Sequence, residues 1–351
     1  MIKKLLSLIL SFITFISTFY TPGIFRPEIK ENLAIAFSKG ITPREIATTY
    51  PYTYEDMVLD IAYLEMKYPD IIEVDTIGQS EWGFPIWVVI LGKGEKSVMI
   101  NAAHHAREYA TVPLVMKMIN YYAQLYESNE TMEPFGNVRE ILDKVCIHFI
   151  PMVNPDGVKI AQNHLYHLTD EKIAELRKIL KKGTDFENWK ANGEGVDLNS
   201  NYPARWKQCL VPYLSEGSGG KEPGEASETK ALMDYTKEQD FLSTISYHNA
   251  GEILYWYFGQ TGNDKSRDYR LTKELSELTG YSLIPIQTQM QSNSGYKDWY
   301  IQEFKRPAWT IEIGRTVNNK PLSQEEMLDA WKKNKKVGLW LASMIIRENI
   351  K

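Results

Sequence analysis

The chain has 351 residues, of which 43% are hydrophobic and 24% charged, the balance of an ordinary globular protein. A formal net charge of −5, with no basic stripe, excludes a general nucleic-acid binder. The two cysteines, Cys146 and Cys209, exclude a disulfide framework, and their spacing is not that of a metal site.

The chain opens Met1-Ile2-Lys3-Lys4, followed by an apolar run from Leu5 to Tyr20. Positive charge ahead of a short apolar stretch is the pattern of an export signal, and the run is short for a membrane span. Residues 1–22 therefore read as an export signal or an N-terminal anchor; no clear A-x-A site decides between cleavage and retention. Residues 23–49 carry Gly23, Pro27, Gly40 and Pro43 and read as a linker or short pro-segment, while residues 50–351 read as the folded domain.

Within that domain, Thr53-Tyr54-Glu55-Asp56 predicts a helix start, and Met57, Ile61, Leu64 and Met66 give the helix an apolar face as far as Tyr68. Alternation from Ile71 to Ile77 predicts a strand, Gly83-Phe84-Pro85 a turn, and Ile86 to Leu91 a second strand. Val98 to Ala103 predicts a third. A helix follows over 112–127, with Pro113 in its first turn, where a missing N–H matters little. Val138 to Lys144 reads as a short helix, and Val145 to Val153 as an apolar strand ending in the turn sequence Asn154-Pro155-Asp156-Gly157. Residues 169–182 read as helical, Phe241 to Tyr247 and Ala308 to Ile313 as strands, and 323–347 as one long amphipathic helix. Strands alternating with helices predict an α/β domain with a mixed, largely parallel sheet covered on both faces. Reactive groups in such folds gather just beyond the carboxyl ends of strands. His105, Asn154, His248 and Glu312 all lie at or near such ends.

His105 and Glu108, three residues apart after a strand, can turn toward one point in space. Imidazole nitrogen and carboxylate oxygen both suit zinc, and a catalytic zinc usually takes three protein ligands plus water. Of the six histidines, His148 sits inside an apolar strand and reads as core, and His164 and His167 read as surface residues at helical spacing. His248, at the end of a strand, is the best third ligand. Glu312 lies within Trp309-Thr310-Ile311-Glu312-Ile313-Gly314, where a buried carboxylate is expensive unless paired. It reads either as a structural ion pair or as a general base beside a metal.

Five blocks then match one family in order: Ser80-Glu81-Trp82-Gly83-Phe84-Pro85-Ile86, His105-Ala106-Arg107-Glu108, Asn154-Pro155-Asp156-Gly157, Gly195-Val196-Asp197-Leu198-Asn199 and Thr310-Ile311-Glu312-Ile313. From about Tyr52 to Ile346 the chain resembles the zinc carboxypeptidases related to pancreatic carboxypeptidase A. The resemblance implies a single domain with an eight-stranded mixed sheet flanked by helices. It implies one Zn2+ held by His105, Glu108 and His248, with Glu312 as the catalytic base. It also implies that Asp197 orients a ligand histidine and that Arg107 lies near the substrate. His104 is set aside, because His105 has the matching position and adjacent residues on extended backbone point apart. The family's oxyanion-stabilising arginine follows a tryptophan; here the pair is Trp189-Lys190, and lysine keeps the charge without the planar fork.

The departures concern substrate choice. Family members grip a free C-terminal carboxylate with an Asn-Arg pair; here Asn199 is kept, but Ser200 stands at the arginine position, and a hydroxyl cannot replace a bidentate cation. The family's mobile tyrosine is replaced by Met290. Tyr296 is nearby at a different offset and inherits no role from that tyrosine; with Lys297 and Asp298 it is expected at the substrate pocket. These departures, together with Trp189-Lys190-Ala191-Asn192, Tyr255-Trp256 and Gly295-Tyr296-Lys297-Asp298-Trp299, resemble the bacterial γ-D-glutamyl-(L)-meso-diaminopimelate peptidases. That resemblance implies a muropeptide substrate, with Lys297, Asp298 and Asn199 reading the far end of diaminopimelate. The expected setting is outside the cell or in its envelope, with membrane contact only through an uncleaved N-terminal segment. The competing readings are a broad-specificity secreted zinc carboxypeptidase, a catalytically inactive wall-binding protein that keeps the fold, and a deacylase acting on an amino-acid amide.

Overall fold

The structure, a computed structural model, describes residues 51–211, 213–289, 295–315, 322–348 and 350. The expectations for residues 1–22 and 23–49, and for Met290, lie outside the described residues. In chain order the main elements are α1 (Tyr54–Lys67), β1 (Ile72–Gln79), β2 (Pro85–Leu91), β3 (Lys96–Ala102), α2 (Thr111–Glu127), α3 (Val138–Leu142), β4 (Val145–Ile150), α4 (Pro155–Ala161) and α5 (Asp170–Lys178). They continue with α6 (Ser227–Gln239), β5 (Thr244–Asn249), β6 (Ile253–Tyr255), α7 (Gly262–Thr279), β7 (Ser282–Leu283), α8 (Ile286–Gln289), α9 (Tyr296–Phe304), β8 (Ala308–Ile313), α10 (Gln324–Asn334) and α11 (Val337–Glu348).

The eight strands form one sheet in the order β1-β2-β4-β3-β5-β8-β6-β7. Its centre, β4-β3-β5-β8, is parallel, and the flanking pairs β1–β2, β2–β4 and β8–β6 are antiparallel. Side chains alternate across these strands and so divide the core in two. Val98, Ile100, Ile245, Tyr247, Trp309 and Ile311 face one side, packed with residues of α1, α2 and α11. Met99 and Ala308 face the other side, with Leu232 of α6 and Trp299 and Tyr300 of α9. Each fully buried side chain of this size contributes about 1.5–3 kcal/mol. His248 and Glu312, one residue out of phase with Tyr247 and Ile311, are therefore on the α6/α9 side of the sheet.

Local chemistry explains the element ends. Thr53 caps α1 by accepting from Asp56 N at 3.0 Å, and the Asp56 carboxylate in turn accepts from Thr53 N at 3.1 Å. Three expectations are corrected here. Asn154-Pro155-Asp156-Gly157 is the start of α4, not a turn: Asn154 caps it by accepting from Gly157 N at 2.9 Å, and Pro155 takes a position that needs no N–H. The long helix expected over 323–347 is two, α10 and α11. The break lets α11 dock on α2, where Tyr122 Oη accepts from Gly338 N at 3.0 Å; a Cβ on Gly338 would come within 2.6 Å of the Tyr122 ring. The strand expected over Phe241–Tyr247 runs instead over Thr244–Asn249, which places His248 inside it.

Candidate metal centre

β3 ends at Ala102, and Ala103 turns the chain with a left-handed φ of 52°. His105 then caps the short 3-10 turn Ala106–Glu108. Thr111 fixes this turn from both sides, accepting from Ala103 N at 3.1 Å and donating to Glu108 O at 2.8 Å. Asn154 ties it to the neighbouring segment, donating to His104 O at 2.9 Å and to Ala191 O at 3.1 Å. Gly157 beneath is obligatory, since a Cβ there would lie 2.3 Å from Ala191 O.

His248, from the carboxyl end of β5, meets this turn. Glu108 places Oε1 2.7 Å from His105 Nδ1 and Oε2 2.9 Å from His248 Nδ1, and the two Nδ1 atoms are 3.1 Å apart. All three residues are buried, and their ligand atoms lie within 4.8 Å of one another. Two imidazoles and a carboxylate converging from β3 and β5 make a donor set that suits zinc. Burial pushes the Glu108 carboxyl up, but the two imidazoles outweigh it and hold it well below the usual range. Burial opposes charge on His105, yet Glu108 and Asp197 together raise it.

The surrounding residues form a second layer. Asp197, fully buried, has Oδ1 3.3 Å from His105 Nε2, a charge contact longer than a well-formed hydrogen bond. Its Oδ2 is 3.0 Å from Lys190 Nζ and accepts from Gly217 N at 3.1 Å. Lys190 is thus already paired. Arg107 is buried; it donates to Asn188 O at 3.1 Å and pairs with Glu216 at 3.3 Å, joining two loops. His104 is not a ligand: its Nε2 lies 2.9 Å from Tyr202 Oη, and its ring stacks on His248 at 5.6 Å. Burial, then the charges of His248 and His105, push it well below its ordinary value, so it is a neutral support.

Glu312 lies opposite His248 in the parallel β5–β8 register, partly open to solvent. No ion pair involves it among the described residues. Burial first, with Glu108 adding to it and His248 and Lys190 opposing, raises its carboxyl to about 7. A proton acceptor of that strength beside a metal site suits base catalysis near neutral pH.

The expected pocket residues separate. Asn199 accepts from Tyr296 N at 3.0 Å at the start of α9, and Ser200 is half-buried beside it. Lys297 pairs with Asp298 and donates to Tyr257 O at 3.2 Å; both are nearly fully buried. The Tyr296 side chain is not at the pocket surface. It is fully buried, and its hydroxyl lies 3.0 Å from Thr236 Oγ1, because the first turn of α9 points it into the core. His148 is core, 2.7 Å from Tyr235 Oη and pushed down to about 4 by burial. His164 and His167 lie in a turn rather than a helix and are half-buried; His167 packs edge-on against Trp82 and Phe84 at 5.4 Å. Tyr202 and Glu216 support the centre, and the contact between His104 and Tyr202 is visible only once the rings are placed.

A His2Glu donor set at the ends of parallel strands, with an elevated carboxylate across the cleft, defines a hydrolytic zinc centre. The family model described as zinc carboxypeptidase matches residues 57–337, and the chain belongs to that family. It is a zinc metallopeptidase. Over 302 residues it is 31% identical to gamma-D-glutamyl-L-diamino acid endopeptidase 1 of Lysinibacillus sphaericus, covering 84% of this chain and 72% of that one. It is 25% identical over 283 residues to mouse carboxypeptidase A4, covering 74% and 62%. The crystal structure of carboxypeptidase A from Helicoverpa armigera has the same fold, with a TM-score of 0.64 at 18% identity over 91% of this chain and 81% of that one.

Proposed function

We propose that this chain hydrolyses the γ-D-glutamyl–meso-diaminopimelate bond of peptidoglycan stem peptides. The observation that carries the reading is the group of residues at the start of α9. There a buried Lys297–Asp298 pair adjoins Asn199, and Ser200 supplies no cation for a simple C-terminal carboxylate. The 31% identity to a protein named as a γ-D-glutamyl-L-diamino acid endopeptidase supports the same substrate class.

His105, Glu108 and His248 would hold the zinc, which when bound polarises the scissile carbonyl and acidifies a water molecule. Glu312 takes the proton of the attacking water on its carboxylate and passes it to the leaving amine. Asp197 holds Lys190 and His105 in place, and Lys190 offers positive charge to the oxygen of the tetrahedral species. The N-terminal sequence supports export, which would bring the enzyme to the cell envelope.

The test is mass spectrometry of a defined muropeptide digested by the zinc-loaded enzyme, with a chelator control. New products ending at γ-D-glutamate and beginning at diaminopimelate are expected. Stepwise C-terminal trimming would instead favour the broad-specificity carboxypeptidase, and no product at all the inactive wall-binding protein.

A further inference from the structure

Three cations near the centre and the start of α9 are matched by carboxylates. Arg107 has Glu216 at 3.3 Å, Lys190 has Asp197 at 3.0 Å, and Lys297 has Asp298. Arg205 has no acidic partner among the described residues. It is nevertheless held in place. Its backbone takes a left-handed φ of 53°, a conformation that costs a non-glycine residue about 1 kcal/mol. Its guanidinium lies over the Phe258 ring, Cζ 4.4 Å from the centroid, and a Cβ on Gly259 would meet Nη2 at 3.4 Å. Phe258 is buried, and the Lys297 ammonium faces the same ring at 5.9 Å. The segment 199–205 therefore links the start of α9 to the Phe258 ring. At one end Asn199 braces α9; at the other the exposed Arg205 sets its fork of donors over the ring that Lys297 also faces.

We propose that Arg205 is the residue that selects a diamino acid with a second carboxylate. This rests on the function proposed above and sharpens it. Lys297 cannot take that carboxylate without abandoning a buried pair, which is costly. Arg205 meets it with no such loss, and its planar fork matches a carboxylate in two parallel hydrogen bonds. Stacking on Phe258 fixes the fork before substrate arrives, so little entropy is lost on binding. A stem peptide carrying lysine, which has the distal amine without the distal carboxylate, leaves the fork unused.

The test compares kcat/KM on two tripeptides that differ only in carrying diaminopimelate or lysine after γ-D-glutamate, using the full zinc-loaded enzyme. The parent is expected to prefer the diaminopimelate peptide by about 10- to 100-fold, the range for a charge-assisted hydrogen bond. R205A should collapse that preference, mainly through KM on the diaminopimelate peptide. R205K, which keeps charge without the fork, should fall between the two. Thermal melting of both variants checks that the fold is kept. An R205A enzyme that retains the parent's preference would overturn the assignment while leaving the proposed bond intact. A parent that cleaves both peptides equally overturns it in the same way. A parent that cleaves neither would overturn the proposed function and this inference together.

Discussion

Replacing Asp197 with asparagine tests whether the centre works as one linked set of charges. Asp197 is fully buried, with His105 Nε2 at 3.3 Å, Lys190 Nζ at 3.0 Å and Gly217 N at 3.1 Å. Asparagine keeps the shape and an acceptor for Gly217 but removes the charge that faces the imidazole and the ammonium. At 3 Å and an effective dielectric of 20, one such pair is worth about 5 kcal/mol before desolvation is counted. Most of that is offset by burying the charges. What reaches the metal is the orienting effect on His105, about 10- to 100-fold in affinity, or roughly 1.4–2.8 kcal/mol. The assay is competition for zinc against a chromophoric chelator, and the expected result is a weaker affinity by that factor. A stability loss of about 1–3 kcal/mol should accompany it, because Lys190 is left without its counter-charge.

The pH dependence has a definite sign. Burial pushes the Asp197 carboxyl up, but Lys190 and His105 outweigh it and hold it well below its ordinary value. A depressed folded value means that the stability it contributes is present above the unfolded value of about 4 and lost as pH falls. The asparagine variant has no such contribution to lose. The difference in stability between parent and variant should therefore shrink as acid is added. A zinc affinity indistinguishable from the parent's would refute the argument that Asp197 acts through His105.

Other predictions follow from the same geometry. Glu312→Gln should lower kcat by about 10²- to 10⁴-fold with zinc content unchanged by elemental analysis; retained turnover would remove Glu312 as the base. Chelating the metal should lower the melting temperature by roughly 5–10 °C at an initial excess of about 1,000 Kd, read by calorimetry with zinc add-back as control. Glu228→Gln should flatten the pH dependence of stability. Burial raises the Glu228 carboxyl to about 7, so the stability it contributes is full below its unfolded value near 4.5 and is lost as pH rises through 7. Urea titrations of the zinc-saturated parent and variant at pH 5 and pH 8 should show the parent losing more stability across that window than the variant, in which the raised Asp156 carboxyl remains; equal losses would place the titration elsewhere.

Most of the fold was legible because apolar periodicity is strong in the central strands. β3, β4 and β8 are apolar runs in the sequence and buried strands in the structure. What escaped was set by tertiary contact. The split between α10 and α11 depends on Tyr122, more than 200 residues away in sequence, accepting from Gly338 N. Helices α6, α7 and α9 were not foreseen; α6 and α7 carry long polar faces that blur the period. At the centre, His105, Glu108 and His248 were legible from strand ends and motif order, and the structure brings them together. Tyr296 was placed at the pocket because it adjoins Lys297, but a helix turns adjacent side chains about 100° apart, and its ring enters the core. Arg205 carried no motif at all. It stands out only once its fork is seen over the Phe258 ring that Lys297 also faces.

The chemistry and the selectivity of this enzyme rest on different kinds of structure. Glu312 and His248 are register partners on β8 and β5, in the rigid parallel centre of the sheet. A change in either strand would move base and ligand together, so their relation survives drift elsewhere. The pocket is assembled from segments outside that parallel core: 199–205, the Phe258–Gly259 turn and the start of α9. These segments are joined by hydrogen bonds from Tyr296 N to Asn199, from Gln302 to Pro203 O and from Lys297 to Tyr257 O, and by the ring of Phe258, which two cations approach. A chain can thus keep the hydrolytic centre of a carboxypeptidase and alter the far end of the substrate it reads. Under the proposal for Arg205, a cation missing at Ser200 is supplied five residues along the same segment.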